Sequence, residues 1–259
     1  MPVVLAVGIS ALVSLLAWRA RALTGGGALL ATAVGTSILS FTGWAGGAGL
    51  GAFFLSSTIV GRIGARRTTI SEARGEQRDA VQVAANGGAA ALGGLAGGTN
   101  PDLALWIVTG ALAAAAADTW ATSIGALSRS NPIHLATGRR VPRGTSGAIS
   151  AFGTVGALAG STLVGGAATL AGAQDLRFFL SGVGLGFGGM LLDSWLGARW
   201  QGRFECPACG TATERRIHRC GALTRHSWGW RWLDNDGVNA ISTAVAALVG
   251  ALAFVLLTS

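Results

Sequence analysis

The sequence predicts an all-α fold: a polytopic bundle of about eight membrane-spanning helices, both termini extracytoplasmic, with one small cysteine-containing cytoplasmic loop. Composition, glycine placement and arginine placement predict it. Of 259 residues, 51% are hydrophobic and only 12% charged, where soluble domains carry about 25% charged residues. The 42 glycines lie mostly inside apolar runs with Ala, Ser and Thr, the composition of helices that approach closely in a bilayer. All 19 basic residues are arginine, and they gather in a few loops.

Eight apolar stretches follow one another: 2–18, 25–42, 44–61, 80–98, 103–125, 147–170, 178–198 and 237–257. Each has about 17–24 residues, enough to cross ~30 Å of hydrocarbon at 1.5 Å per residue. Turn-forming groups separate them, among them Thr42-Gly43, Asn100-Pro101-Asp102 and Gly172-Ala173-Gln174-Asp175. The second and third stretches are also compatible with a single hairpin. No basic residue precedes the first stretch, and Arg19 and Arg21 follow it, so it reads as a span rather than a secretory signal. Residues 1–259 form one integral membrane domain in this reading, with 199–236 as its cytoplasmic loop.

Counting arginines by loop sets the orientation. Arg19 and Arg21 follow the first stretch; Arg62, Arg66, Arg67, Arg74 and Arg78 follow the third. Arg129, Arg139, Arg140 and Arg143 follow the fifth, and Arg199, Arg203, Arg215, Arg216, Arg219, Arg225 and Arg231 follow the seventh. Only Arg177 falls on the other side. Eight spans put these four loops on one face, which the positive-inside rule makes cytoplasmic. A net charge of +8 and a pI near 11.4 therefore encode topology, and no nucleic-acid partner is expected.

Ionisable groups inside spans are costly and mark functional sites by default. Asp118 and Asp193 are such groups, each about two turns from the cytoplasmic end of its span. Asp234 and Asp236 precede the last span on the same side, and Asn86 enters the fourth at a similar depth. Thr122 and Gly125 share the helix face of Asp118, at i+4 and i+7. A purely structural role for the two intramembrane acids, or a helix-capping role for Asp234 and Asp236, is the alternative. The stretch Arg143-Gly144-Thr145-Ser146-Gly147, read as opening the sixth helix, offers hydroxyls, backbone N–H groups and a guanidinium fork to an anion. Carboxylates that hold Mg²⁺ opposite donors that hold phosphate suit phosphoryl transfer.

Cys206, Cys209 and Cys220 lie in the last loop with His218 and His226. The Cys206-Pro-Ala-Cys209-Gly run has the spacing of a zinc knuckle, so Cys206, Cys209, Cys220 and His218 (or His226) are candidate Zn²⁺ ligands. Free cytosolic thiols are the alternative. Trp228, Trp230 and Trp232 suit an interfacial strip at the headgroups.

Four ordered motifs resemble the domain-of-unknown-function-92 integral membrane family, a group that includes transmembrane protein 19 and a plant phytyl-phosphate kinase. They are Asp118-Thr-Trp-Ala-Thr-Ser-Ile-Gly125, Val141-Pro-Arg-Gly-Thr-Ser-Gly147, Leu192-Asp-Ser-Trp-Leu-Gly-Ala198 and Trp232-Leu-Asp-Asn-Asp-Gly-Val-Asn239. Gln82-Val-Ala-Ala-Asn-Gly87 extends the resemblance to nearly the whole chain. More distantly, the Asp118 and Asp193 segments resemble dolichol and phytol kinases and membrane cytidylyltransferases. The resemblance implies a kinase of an isoprenoid monophosphate that takes a phosphoryl group from a cytosolic nucleotide, CTP being favoured. Asp118, Asp193, Asp234 and Asp236 would then hold Mg²⁺. Asn86, Thr122, Arg143, Gly144, Thr145, Ser146, Gly147, Asn235 and Asn239 would contact phosphates. The expected setting is the inner (plasma) membrane with the site facing the cytoplasm; lipid and a second copy of the chain are the other partners considered. A prenol kinase, a CDP-lipid-forming cytidylyltransferase and, from another class, a transporter are the competing readings.

Overall fold

A computed structural model describes residues 1–67, 77–172 and 174–258, with side chains omitted at 65–67. Arg74 and Ala173, and the side chains of Arg66 and Arg67, fall outside that description. Among the described residues seven α-helices follow in order: α1 Val3–Arg19, α2 Gly25–Arg67, α3 Ala80–Leu95, α4 Pro101–Gly125, α5 Ala151–Gly172, α6 Leu176–Arg199 and α7 Asn235–Thr258. Five of them, α2, α4, α5, α6 and α7, are long and apolar enough to cross a membrane; α1 is a shorter apolar helix.

The helix starts follow local chemistry. Asn100 and Asp175 each accept a backbone N–H from three residues on, at 3.0 Å, and so cap α4 and α6. Pro101 fills the first position of α4, where a missing N–H costs nothing. Asp79 and Gln82 close a capping box on α3.

The 43-residue α2 is two rods. Gly43 has φ 62° and ψ −147°, a left-handed backbone that glycine adopts freely. A Cβ on Gly35 would stand 3.7 Å from Leu50; in a straight helix these positions would be about 22 Å apart. The arms 25–42 and 44–67 thus fold back on each other as a hairpin at the Thr42-Gly43 break.

At the centre stands α4, packed against α2, α3, α5, α6 and α7. Its alanine run from Ala111 to Ala117 is buried, and among the described residues no large apolar side chain on α4 is exposed. Large apolar groups point outward elsewhere: Leu29 on α2, Leu92 on α3, Leu170 on α5 and Leu248 on α7 are all more than 70% exposed. Small residues inside and leucines outside is the inverse of a water-soluble bundle, and it suits a bilayer.

Close contacts sort the helix ends. Arg62 donates to Ala20 O at 2.8 Å, Thr24 N donates to Arg78 O at 3.0 Å, and Gly202 N donates to Leu233 O at 2.8 Å. A Cβ on Gly64 would meet Ser123, and one on Gly147 would strike the backbone of Ala198. These contacts gather the interhelical segments that carry nearly all the arginines at one end of the bundle. At the other end the Met1 amino group donates to Ser40 O, and Arg177 donates to Leu257 O. Ala45, Leu105, Phe178 and Phe254 pack together there.

Two small sheets decorate the arginine-rich end. Strands β1 (Ile133–His134) and β2 (Ala148–Ile149) pair antiparallel, and β3 (Arg203–Glu205) lies between β4 (Ala212–Thr213) and β5 (Arg225–Trp228). The sequence reading anticipated neither. The first sheet also corrects the expected start of the sixth apolar helix at 147. Residues 148–149 are committed to β2, and Ser150 Oγ accepts Gly153 N, so α5 begins at Ala151.

Candidate functional site

Asp118 on α4 and Asp193 on α6 meet. Their carboxyl groups lie close enough to interact directly, and Asp193 Oδ2 accepts from Ser242 Oγ of α7 at 3.1 Å. Next to Ser242, the buried Thr243 hydroxyl donates to Ala85 O of α3 at 3.0 Å. Two residues past Asp118, Trp120 Nε1 donates to Ser56 Oγ of α2 at 3.2 Å. Five helices therefore deliver polar groups to one level of the bundle.

Small residues set this meeting. One helical turn before the acids, a Cβ on Gly189 would come 2.5 Å from the Ala114 methyl. Four residues on from each lie Asp193 and Asp118, so close packing of two parallel helices carries the carboxyls into contact. Both acids are half-buried. Two like charges about 4 Å apart repel by roughly 4 kcal/mol at an effective dielectric of 20. The pair therefore needs a proton or a cation between its oxygens.

The other two predicted acids flank the start of α7. Asp234 is exposed, and its Oδ1 accepts Gly237 N at 3.0 Å as the cap of α7. It sits eight residues from Ser242, about 12 Å along the helix axis, and Asp236 sits about 9 Å away. Both stand at the start of α7, Asp236 and Asn235 half-buried. Asn239 is buried one turn below Ser242 and Thr243, and its carbonyl accepts both hydroxyls. Asn86 adjoins Ala85, with its amide turned back onto Gln82 O at 2.9 Å. Thr122 is exposed one turn past Asp118.

The 143–147 segment is a turn ahead of α5, separated from the helix by β2. Gly144 and Gly147 take φ 83° and 75°, and Gly147 lies too close to Ala198 for any side chain. Thr145 donates to Pro142 O at 2.7 Å, Ser146 to Gln201 Oε1 at 2.7 Å, and Arg143 to Ser128 O at 2.9 Å. Both hydroxyls thus serve the turn itself. Exposed Arg143 keeps further N–H groups for an anion. Ala198, the anchor of the turn, is five residues past Asp193, about 7.5 Å along α6.

Sequence reasoning missed four participants. Ser242 carries no local signature beyond small polar residues in an apolar helix. Gln201 and Arg203 hold the turn from the far side: Arg203 donates to Ser146 O at 3.3 Å and lies 3.0 Å from His134 Nε2. Burial, with Arg203 nearby, holds the His134 imidazole below its ordinary pKa. Arg78 was read only as a topology signal. Its guanidinium lies over Phe53 and Phe54, 5.4 and 5.7 Å from the ring centroids, and burial lowers its pKa to about 10. Among the described residues its guanidinium has no carboxylate partner.

Outside the bundle, the donor atoms of Cys206, Cys209, His218 and Cys220 lie within 4.8 Å of one another. His226 is not among them; its ring meets the edge of Phe204 at 5.5 Å. Trp230 stacks between Trp200 and Trp232, 5.5 Å from each, beside this loop.

The family model for the integral membrane protein family DUF92 matches residues 8–247. The chain is 29% identical to Protein PGR of Arabidopsis thaliana over 283 positions, covering 97% of this chain and 96% of that protein. It is 28% identical over 236 residues to an uncharacterised membrane protein of Methanocaldococcus jannaschii, with 91% and 87% coverage. A third relative, an uncharacterised membrane protein of Synechocystis sp., is 32% identical over 224 residues, with 83% and 76% coverage. No solved structure matches. With nearly its whole length matched, the chain belongs to the DUF92 family of integral membrane proteins.

Proposed function

We propose that this membrane protein is a prenyl-phosphate kinase, of the phytyl-phosphate kinase type. The observation that carries the reading is the Asp118–Asp193 contact, two carboxyls from different helices joined inside an apolar bundle. Such a pair is expensive in a membrane and fits a divalent cation held by one or two carboxylates plus substrate phosphates. Mg²⁺ bound there would neutralise charge on the transferring phosphoryl group.

The chain's own groups do the positioning. The prenyl tail would lie against the apolar helices with its phosphate at the polar level. Arg143 and Arg78 would draw nucleotide and lipid phosphates toward the acids. A lipid phosphate oxygen then attacks the terminal phosphorus of the nucleotide, the P–O bond to the nucleoside diphosphate breaks, and the prenyl diphosphate forms. No base is needed, since a phosphate monoester oxygen is already a competent nucleophile, and positioning supplies most of the catalysis. The arginine-rich end would face the cytoplasm, where nucleotides reside.

The test is the purified chain with phytyl or geranylgeranyl phosphate, Mg²⁺ and CTP, products identified by mass. Diphosphate formation is expected, falling at least about 100-fold in Asp118→Asn and Asp193→Asn. An inactive native protein, a CDP-lipid product, or full activity in Asp118→Asn would overturn the reading.

A further inference from the structure

We propose that Cys206, Cys209, His218 and Cys220 bind one structural Zn²⁺ that pins the 199–236 segment and, through it, the 133–149 segment to the bundle. The proposal stands apart from the phosphotransfer reading and is tested without it.

The two halves of the cluster are related glycine-closed turns, the second one residue shorter than the first. In Cys206-Pro207-Ala208-Cys209-Gly210, Cys206 N donates to Thr211 O at 2.9 Å and Gly210 N donates back to Cys206 O at 2.8 Å. In His218-Arg219-Cys220-Gly221, His218 N donates to Ala222 O and Gly221 N donates back to His218 O, both at 2.9 Å. Gly210 and Gly221 close the turns at φ 65° and 83°, where a side chain would be strained. The second half lacks a Cys-x-x-Cys, so spacing alone does not reveal it; the backbone does.

The donor set suits a closed tetrahedral site. Zn–S near 2.3 Å and Zn–N near 2.0 Å require ligand atoms roughly 3.5–3.8 Å apart. Cys206 Sγ and Cys220 Sγ are 3.6 Å apart, and His218 Nδ1 lies 3.1 Å from Cys220 Sγ, a few tenths of an ångström closer than a bound Zn²⁺ would hold it. The other ring nitrogen of His218 faces Thr211 Oγ1 at 3.4 Å, a partner that would fix the tautomer of a ligating imidazole. Four donors fill the coordination shell, which marks a structural rather than a catalytic centre.

The segment needs such a staple. Its strands are two to four residues long, and Phe204, Cys206 and Thr213 are the buried side chains of the sheet. A core that small does not hold a fold unaided. What it holds matters to the rest of the molecule: Gln201 and Arg203 lead into Cys206, and they bind Ser146 and His134.

The experiment measures metal in the full chain purified in detergent under reducing conditions. One equivalent of zinc per chain is expected, retained in His226→Ala and lost in the Cys206→Ser/Cys209→Ser double variant. Replacement by Co²⁺ should give the visible d–d bands of a tetrahedral thiolate site. Chelation should expose the arginines of the loop to trypsin. Cys220→His keeps four donors and should keep the metal, which separates ligation from general folding. Zinc-free protein with reduced thiols, a Cys206–Cys220 disulfide by mass, or undiminished zinc in the double variant would overturn the proposal.

Discussion

The carboxyls inside the bundle and the thiols outside it are both convergent sites, but different scaffolds bring them together. Asp118 and Asp193 sit on two long parallel helices, and their contact is set one turn away, where Gly189 meets Ala114. The thiols and His218 sit on two short glycine-closed turns with little core beneath them. In the first region rigid packing creates the site, and a charged partner would be gained by an arrangement that already exists. In the second, the ligand set and the fold depend on each other. Damage should therefore propagate differently: from packing to chemistry in the bundle, and from chemistry to packing in the loop.

A bulky group at the helix contact is the largest expected blow to the bundle. Gly189→Val should destabilise the protein by about 1–3 kcal/mol through overpacking and reduce transfer activity by more than its stability loss explains. Gly184→Val, at a position with open space around it, should do neither. Thermal unfolding in detergent beside a lipid-kinase assay reads both; equal effects of the two variants would refute the packing origin of the site.

A weaker effect links the loop to the bundle through pH. His134 is folded into a site that keeps it neutral, so its folded pKa lies below the unfolded value near 6.5. Docking of the 133–149 segment is then fully held above about pH 6.5 and lost as pH falls through the depressed folded value, where an imidazolium would face Arg203. Hydrogen exchange of residues 133–149, corrected for intrinsic rates, should show protection fading on acidification in the native chain but not in His134→Asn. Equal pH profiles would remove the His134–Arg203 contact from the docking.

The smallest change is expected at the rim. Asp234→Asn preserves the cap of α7 and should leave stability within about 0.5 kcal/mol and activity nearly intact, while Asp234→Ala should cost about 1 kcal/mol. A large activity loss in Asp234→Asn with unchanged unfolding would make this carboxylate a ligand after all and enlarge the site beyond the inner pair.

Much of the helical plan was legible because apolar length and breaking residues are local. Asn100 with Pro101, Asp175, and Gly43 mark helix starts or reversals where they stand in the chain. The start of α5 was placed at 147 for an equally physical reason. Nothing local says that Ala148 and Ile149 pair with a strand fourteen residues upstream, so the helix appeared to begin too early. Ser242, Gln201, Arg203 and Arg78 were silent because their roles depend on partners far away in sequence. His218 and Cys220 were legible as candidates, but the choice between His218 and His226 depended on the fold.

By itself, the sequence determined that this chain lives in a membrane, where its long apolar stretches run and which loops carry its positive charge, because hydropathy and charge act through solvent and need no partner. Tertiary structure decided which polar groups meet. It joined Asp118 to Asp193 and left Asp234 at the rim, and it chose His218 over His226. Contacts of a few ångströms between helices depend on which faces pack, and that follows from glycine and alanine positions only once all the helices are in place.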